Sequence, residues 1–173
     1  SRDVTEKTIE RLVRSGGKDD FRDEFAALTL GSGAAAAILA NTDLLRALDK
    51  PVHHYLGGLS VAATEHNQLC IGQQDKMVTD SNGLLHAGID LAERTWRRGV
   101  EAFGWSADYF DQHVLHQVSK THTERLMQRL GLDLATTLPI YPEHGNIGPA
   151  AVPIALSKAL EAGRVREGDK VAL

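Results

Sequence analysis

Residues 145–151 read Gly-Asn-Ile-Gly-Pro-Ala-Ala, and residues 116–119, at the end of a short apolar run, read His-Gln-Val-Ser. A histidine at the tip of a strand and an asparagine in a glycine-bracketed loop can both donate hydrogen bonds to one substrate oxygen and stabilise a developing oxyanion. The plain structural alternative is that His116 bonds to a backbone carbonyl and that Asn146 is a turn former. No nucleophile motif accompanies the pair, so the sequence predicts one half of an active site.

Helical periods and short apolar runs alternate on both sides of these motifs. The most regular apolar stripe, over residues 85–103, has spacings of three and four and predicts a helix that faces a core and ends at Gly104. Pro149 predicts the start of a helix over 149–162, because the first helical position needs no N–H. We also predict helices over 4–13 and 119–130 (the latter with a capping box of Thr121 and Glu124), loops over 15–20 and 64–82, the second with short helical pieces, and strands over 25–30, 34–40, 52–62, 113–116, 138–141 and 170–173.

This alternation indicates a layered α/β fold with a mostly parallel or mixed sheet. A chain of 173 residues is long enough for a real core. Its net charge of −4 gives a nucleic-acid role no support, and its longest apolar run, residues 34–40, is far too short to span a membrane. The single cysteine, Cys70, excludes an internal disulfide and favours a reducing cytoplasm. Both ends of the chain lie within element patterns, so we expect it to be part of a longer protein.

Other candidate sites are weak on spacing alone. Cys70 has no adjacent cation and no sharp turn into a helix, so we interpret its thiol as packed or channel-lining rather than nucleophilic. His113 and His116 would point to opposite faces of a strand, and no acidic residue or cysteine completes a metal site. Ser32 lacks the spacing of a hydrolase elbow. These patterns predict no metal and disfavour an α/β-hydrolase.

Several motifs resemble the thiolase superfamily, in the branch of ketoacyl synthase III. The segments around His116 and Asn146 are similar to its catalytic histidine and asparagine motifs. Residues 30–36, Leu-Gly-Ser-Gly-Ala-Ala-Ala, resemble the strand turn that closes the first half of that family, and residues 168–173 resemble its last strand entry. Longer loop segments are similar to the condensing enzymes of bacterial long-chain olefin biosynthesis; these are residues 63–70, 76–80 and 141–146.

The resemblance covers essentially the whole chain, but only the C-terminal half of that family. It implies a thiolase-like fold, an αβαβα layered sandwich in the full protein, of which this chain forms mainly the C-terminal βαβ half with a mixed sheet and covering helices. It divides the chain into residues 1–45, the end of the N-terminal half with its closing strands, and residues 46–173, the C-terminal half. The nucleophilic cysteine, and a glutamate that reaches in from the second subunit of a homodimer, would lie in the missing N-terminal half.

For function, the resemblance implies an acyltransferase that joins two long-chain fatty acyl-CoA molecules head to head, by a Claisen condensation without decarboxylation, to a 2-alkyl-3-ketoacyl product. His116 and Asn146 would be its catalytic residues in this chain. Five further residues are expected along the substrate channel: Cys70, Met77, Val78, Gly145 and Gly148. Ordinary packing explains Met77 and Val78 equally well. No cofactor is implied beyond the coenzyme A thioesters used as substrates, and the expected partners are fatty acyl-CoA, the missing N-terminal half and a second subunit.

Two alternatives stay open on the sequence. A decarboxylating 3-oxoacyl-ACP synthase III with a malonyl donor would carry a similar histidine and asparagine. A non-catalytic thiolase-fold subunit would only shape a tunnel or complete a dimer. The presence of both His116 and Asn146 argues against the second alternative, since an inert subunit has no need of them.

Overall fold

Helices dominate the described part of this chain, which comprises residues 2–47 and 52–173 of a computed structural model. The helices are α1 (Arg2–Ser15), α2 (Lys18–Glu24), α3 (Thr42–Ala47), α4 (Ser81–Phe103), α5 (Lys120–Leu130), α6 (Tyr141–His144) and α7 (Ala151–Glu161). The strands are β1 (Cys70–Gly72), β2 (Met77–Thr79), β3 (Gln112–His113) and β4 (Val171–Ala172). Ser1 and residues 48–51, which the predicted domains 1–45 and 46–173 include, lie outside the described residues. Within the described ranges, no helix has both the length and the apolar content that crossing a membrane requires.

The two N-terminal helices are joined by a buried charge. Helix α1 confirms the helix predicted over 4–13, whereas the loop predicted over 15–20 is wrong from Lys18 onward because α2 begins there. Glu24, at the end of α2, is 4% exposed and accepts hydrogen bonds from Arg11 at 2.6 Å and from Thr8 at 3.2 Å. The hydrogen bond from Arg11 lowers the pKa of Glu24, so the buried carboxyl stays ionised and paired.

The long helix α4 confirms the strongest sequence prediction. The side chain of Asp80 caps its first turn by accepting a hydrogen bond of 2.9 Å from the N–H of Gly83. Gly104 ends it in the left-handed conformation, with a φ of 67°. Within the apolar stripe, Ile89 is buried, whereas Phe103 is 39% exposed and stacks on a neighbouring tryptophan. The stripe therefore faces the core in its middle part and leaves the core at its C-terminal end.

Helix α5 packs against α4 and carries a different cap from the predicted one. The hydroxyl of Ser119 accepts a hydrogen bond of 3.2 Å from the N–H of His122. Ser119 has the extended backbone of a cap residue, whereas Thr121 already lies inside the first helical turn. The predicted capping box of Thr121 and Glu124 is therefore wrong, although the helix itself is confirmed.

The described strands form two short two-stranded sheets. β3 and β4 run parallel with Gln112 opposite Val171, which confirms the final strand predicted over 170–173. The strand predicted over 113–116 is shorter than expected, because its pairing with β4 stops once the N–H of Val114 has bonded to Ala172. β1 and β2 form an antiparallel hairpin.

The prediction for residues 64–82 is therefore right in one part and wrong in another. A short 3₁₀ turn, Thr64–His66, agrees with the expected loop with helical pieces. The hairpin of β1 and β2 was not expected there. Its strands have three residues each, which is too short for an alternating pattern to stand out in the sequence.

Four further predicted strands are wrong among the described residues. They are residues 25–30, 34–40, 52–62 and 138–141. Phe25–Thr29 is a 3₁₀ turn, and residues 34–40 and 52–62 form neither helix nor strand. A strand needs a neighbour to accept and donate its backbone hydrogen bonds, and no described strand pairs with these segments. Ile38 and Leu39 are 94% and 91% exposed instead.

The core beneath α7 positions the C-terminal motifs. Its buried residues are Val114, Ile140, Ile147, Ala150, Ala151 and Ala155. The helix predicted over 149–162 is confirmed in substance: a 3₁₀ turn, Gly148–Ala150, leads into α7, and Ala162 is the C-cap. Small alanine side chains let α7 approach this core closely, so the loop before it is held against the end of β3.

Candidate functional site

His116 lies three residues beyond β3, where the chain leaves the sheet. His116 is an exposed residue in this chain, but part of its ring is packed among protein atoms, and this partial burial lowers the pKa of His116 from the ordinary value of 6.5. A hydrogen bond between the ring and the backbone of Gly148 raises the pKa in part. His116 is therefore neutral at pH 7 and carries one ring N–H, which in this chain points to the backbone carbonyl of Gly148, since the N–H of Gly148 donates to Asn146.

Asn146 follows α6, which ends at Gly145 with a φ of 66°. Its side-chain oxygen accepts a hydrogen bond of 3.1 Å from the N–H of Gly148. Because this bond identifies the oxygen, the other branch of the amide is the NH₂ group, and no described residue accepts a hydrogen bond from it. Asn146 thus keeps two donors for a ligand.

Gly148 is the residue at which the two predicted side chains meet. The ring of His116 hydrogen-bonds with its backbone, and Asn146 accepts from its N–H. Both side chains therefore lie beside one residue at the entrance to α7, although α5 and α6 separate them in sequence. The separation of about 4–7 Å that one shared oxygen requires between their polar atoms stays a prediction.

A close approach of two backbones anchors the Asn146 loop. The N–H of Asn146 donates to Thr29 at 2.9 Å, and its carbonyl accepts from Gly31 at 2.9 Å, forming an isolated parallel bridge. A Cβ atom at Gly31 would overlap the carbonyl oxygen of His144 and would lie 2.6 Å from Cγ2 of Ile147. Glycine at position 31 is thus what allows the N-terminal segment to hold the asparagine loop.

Gln117 is the residue at the site that sequence reasoning missed. Its side chain is completely buried and hydrogen-bonds to the backbone of Leu138 and Ile140. The signal that could have found it is a long polar residue inside an apolar run directly after His116. A buried amide needs partners, so such a residue indicates a specific tertiary contact.

Two further histidines near His116 are also neutral. His113 is 2% exposed, and its Nδ1 lies 2.8 Å from the hydroxyl of Thr136. That hydroxyl donates its only proton to the carbonyl of Asp133 at 2.6 Å, so Nδ1 of His113 is the donor and Nε2 carries no proton. Burial lowers the pKa of His113, and burial lowers the pKa of His122, with a second contribution from repulsion by His116 when that ring is protonated. In the described part of the chain, no three His, Cys, Asp or Glu side chains are placed to hold a metal ion.

We predict that acid weakens the packing around His113. Its folded-state pKa is below the unfolded value of 6.5, so below that pH the unfolded chain binds more protons than the folded one. The stability that neutral His113 contributes is fully present above pH 6.5 and is lost as the pH falls toward the folded pKa, at up to about 1.4 kcal/mol per pH unit. Urea unfolding between about pH 7.5 and about pH 5.5 measures this. His113→Gln should be less stable at the upper pH but should lose less on acidification; equal pH slopes would contradict the prediction.

The hairpin of β1 and β2 carries three of the predicted channel residues. Cys70 lies opposite Thr79, whose hydroxyl is 3.4 Å from the thiol and is its hydrogen-bond partner among the described residues. Cys70 is exposed, Met77 is half-buried and Val78 is 37% exposed. The other two predicted channel residues flank Asn146 instead. A channel that includes both groups stays a prediction.

Comparison with known proteins finds a matching family model and similar proteins. Residues 100–173 match the family model described as the C-terminal part of 3-oxoacyl-[acyl-carrier-protein] synthase III. The chain is 47% identical over 171 residues to the acyl-CoA:acyl-CoA alkyltransferase of Xanthomonas campestris, and the match covers 98% of this chain and 49% of that protein. Residues 100–173 thus match the C-terminal part of the ketoacyl synthase III family, and nearly the whole chain is similar to one half of the alkyltransferase.

Further relatives span the same family. The acyl-CoA:acyl-CoA alkyltransferase of Shewanella oneidensis is 30% identical over 181 residues, which cover 99% of this chain and 51% of that protein. A beta-ketoacyl-[acyl-carrier-protein] synthase III of Neisseria gonorrhoeae is 24% identical over 173 residues, which cover 96% of this chain and 51% of that protein. The chain thus spans about half the length of the curated relatives it matches.

Solved structures give the same result for the fold. The OleA protein of Xanthomonas campestris with bound lauric acid and lauroyl-CoA matches with a TM-score of 0.90 and 47% identity, covering 97% of this chain and 49% of that chain. A cerulenin-bound structure of the same protein matches with a TM-score of 0.91 and 46% identity, covering 98% of this chain and 48% of that chain. These matches confirm the thiolase-like fold that the sequence predicts.

In the complete protein, we predict that Cys70→Ser leaves formation of an acyl-enzyme largely intact. The Cys70 thiol is exposed on a hairpin strand, and its hydrogen-bond partner among the described residues is the neutral hydroxyl of a threonine, whereas a nucleophilic cysteine is activated by a cationic neighbour or a helix N-terminus. Intact-protein mass spectrometry after incubation of the complete enzyme with lauroyl-CoA measures acylation. An acyl group located on Cys70 by peptide mapping would defeat the prediction.

Proposed function

We propose that the complete enzyme catalyses a non-decarboxylative Claisen condensation of two long-chain fatty acyl-CoA molecules to a 2-alkyl-3-ketoacyl product, in long-chain olefin biosynthesis. In this proposal the present chain supplies His116 and Asn146. The observation that carries it is the meeting of these two side chains at Gly148, in a chain 47% identical to an acyl-CoA:acyl-CoA alkyltransferase. That solved relatives bind lauric acid and lauroyl-CoA supports a fatty acyl thioester as substrate.

The reaction divides into two steps. In the first, a cysteine thiolate from outside this chain attacks the thioester carbonyl of one acyl-CoA, forms an acyl-enzyme and releases coenzyme A. In the second, a base removes the α-proton of another acyl-CoA, the resulting enolate carbon attacks the acyl-enzyme carbonyl, and the cysteine thiolate leaves. A carbon–carbon bond forms, a carbon–sulfur bond breaks, and no carbon dioxide is released. The coenzyme A thioesters are themselves the activated reactants, so no cofactor takes part.

His116 and Asn146 act on the oxygen where negative charge develops. For this, the ring N–H of neutral His116 turns from the backbone of Gly148 to the substrate oxygen, and the NH₂ group of Asn146 donates to the same oxygen. Such donors are worth most in a site from which water is excluded, because little charge is screened there. The N-terminal end of the helical run that leads into α7 adds a smaller favourable dipole at the same place.

The complete enzyme is proposed to act as a cytoplasmic homodimer, with a glutamate of the second subunit assisting α-proton removal. The division of this chain at residues 45 and 46 and the channel of Cys70, Met77, Val78, Gly145 and Gly148 belong to the same proposal. Solved variants of OleA at one cysteine, one glutamate and one histidine show which residue types have been altered in that relative. These are the three types that the proposed chemistry needs.

A product assay tests the reaction. The complete enzyme is incubated with lauroyl-CoA as the sole substrate, and in parallel with lauroyl-CoA and a malonyl thioester. The proposal expects a 2-alkyl-3-ketoacyl product that retains every carbon of both acyl chains in the first reaction. Carbon dioxide release with the malonyl donor and no product without it would instead support a decarboxylating synthase. The identity of 47% to the alkyltransferase, against 24% to the synthase, favours the first outcome.

We expect the isolated chain to condense no acyl-CoA and to aggregate. Large apolar side chains are almost fully exposed on it: Ile38 is 94%, Leu39 is 91% and Tyr55 is 82% exposed. Contiguous exposed apolar surface of this kind promotes association. Size-exclusion chromatography and the lauroyl-CoA assay check both points. A monomeric chain that condenses acyl-CoA unaided would overturn the view that it supplies part of a site.

A further inference from the structure

Gln117 has no part in the chemistry proposed above, yet its side chain is 0% exposed. Burying a long polar side chain is unfavourable unless its polar atoms find partners. A chain that needed only a filled core at this position could use leucine or methionine. The bonds that Gln117 makes therefore indicate what the position requires.

Both ends of the Gln117 amide are engaged by one short segment. Its Nε2 donates to the carbonyl of Leu138 at 2.8 Å. Its Oε1 accepts from the N–H of Ile140 at 2.7 Å and from the N–H of Tyr141 at 3.4 Å. These backbone groups cannot pair with a strand while the side chain holds them, which explains why the strand predicted over 138–141 does not form.

The same bonds account for every free N–H at the start of α6. The first N–H groups of a helix have no partner within the helix. Here Pro142 has no N–H, and the N–H of Glu143 donates to the carbonyl of Ile140 at 3.2 Å. Only the N–H groups of Ile140 and Tyr141 remain, and Oε1 of Gln117 accepts from both. Gln117 thus caps α6 from a distant part of the chain and determines where that helix begins.

The cap connects the two residues of the site. Gln117 follows His116 directly, and the helix it caps ends at Gly145, next to Asn146. One helical turn and one side chain therefore form a second link between His116 and Asn146, besides the backbone of Gly148 that both side chains contact. We propose that Gln117 is a positioning residue that holds His116 and Asn146 at the separation that condensation requires; this inference rests on the function proposed above.

The test compares two steps of the reaction in Gln117→Met. Methionine has a similar length but makes none of the three hydrogen bonds. In the complete enzyme, condensation of lauroyl-CoA should fall by about 10–100-fold, because small displacements of catalytic groups have effects of that size. Acylation, measured by mass spectrometry, should fall by about twofold or less, since it depends on the cysteine outside this chain. Met127→Ala is the matched control: Met127 is 1% exposed in α5, so the variant loses packing without touching the cap.

A second variant gives a pH-dependent readout and carries the test if Gln117→Met does not fold. Gln117→Glu keeps an acceptor for Ile140 and Tyr141 but places a carboxylate against the carbonyl of Leu138. Protonation of that carboxyl restores the donor. Its condensation rate relative to wild type should therefore rise as the pH falls from about 8 to about 6, while the same ratio for Met127→Ala stays flat.

The outcomes separate this inference from the proposed function. If wild type condenses lauroyl-CoA and Gln117→Met does so equally well, or loses acylation and condensation in the same proportion, the positioning role is overturned. If wild type forms an acyl-enzyme but no condensation product, the proposed function fails. The positioning role is then decided by a crystal structure of Gln117→Glu, in which Asn146 should move by roughly 1 Å relative to His116. An unmoved Asn146 overturns it.

Discussion

Replacement of His116 by alanine in the complete enzyme is expected to lower the rate of condensation by about 10²–10⁴-fold. The ring is neutral because partial burial lowers its pKa, and it lies against the backbone of Gly148, to which the side chain of Asn146 is also bonded. In the proposed mechanism, removing it takes away one of two donors to the developing oxyanion and a group that can move a proton. Acylation should suffer less, because His116 is not the group that attacks the first acyl-CoA.

Single-turnover measurements separate the two steps. The enzyme is first acylated with labelled lauroyl-CoA. Unlabelled lauroyl-CoA is then added, and the consumption of the acyl-enzyme is followed over time. His86→Ala serves as the control, since His86 is exposed on α4 and its ring hydrogen-bonds to the carbonyl of Asn82 in the same helix. If His116→Ala condenses at the wild-type rate, His116 has no part in the mechanism. The same follows if His116→Ala and His86→Ala lose equal fractions of the condensation rate.

Helices were predictable because their signals are local. Spacings of three and four identify α4, and Pro149 marks the entrance to α7, where its missing N–H has no consequence. Glycines at positions 104 and 131 end their helices in the left-handed conformation, as expected. The wrong cap on α5 shows the limit of a spacing rule: Ser119 and Thr121 are both suitable residues, and only the backbone conformation decides between them.

Strands were much less predictable because their partners are not local. An apolar run such as residues 34–40 has the composition of a buried strand but finds no neighbour in the described chain. Residues 138–141 show a second reason, since the side chain of Gln117 occupies the backbone groups that a strand would use. Short β1 and β2 were missed because the register of a hairpin depends on pairing rather than on composition.

The residues of the candidate site likewise fall into those that local sequence identifies and those that only tertiary contacts identify. His116 and Asn146 stand out in sequence because their residue types and flanking glycines suggest chemistry. The residues that bring them together, Gln117 and Gly31, have no chemistry of their own and act only through contacts between distant segments. Such residues are identified from the structure by two features: a buried polar side chain with specific partners, as at Gln117, or a position with no room for a Cβ atom, as at Gly31.

We expect Gly31→Ala to destabilise the complete enzyme by about 3 kcal/mol or more and to reduce condensation by about 10²-fold. The added methyl group would overlap the carbonyl oxygen of His144 and press on Ile147, and the first of these is backbone that cannot rotate away. Relief requires the segment of Gly31 to separate from the asparagine loop. That separation breaks the two bonds of 2.9 Å that hold the backbone of Asn146.

Two other glycines make the comparison specific. An alanine at Gly88, within α4, meets no atom within 4 Å and should raise stability by about 0.5–1 kcal/mol, because alanine loses less backbone entropy in a helix. An alanine at Gly72 also meets no atom within 4 Å and should leave condensation unchanged. Melting temperatures and lauroyl-CoA condensation rates of the three variants test the order. If Gly31→Ala has the melting temperature of wild type but no longer condenses lauroyl-CoA, the clash is not the cause of the loss. If it keeps both the melting temperature and the condensation rate of wild type, the N-terminal segment does not anchor Asn146, and the loop is held by Gln117 and the core beneath α7 alone.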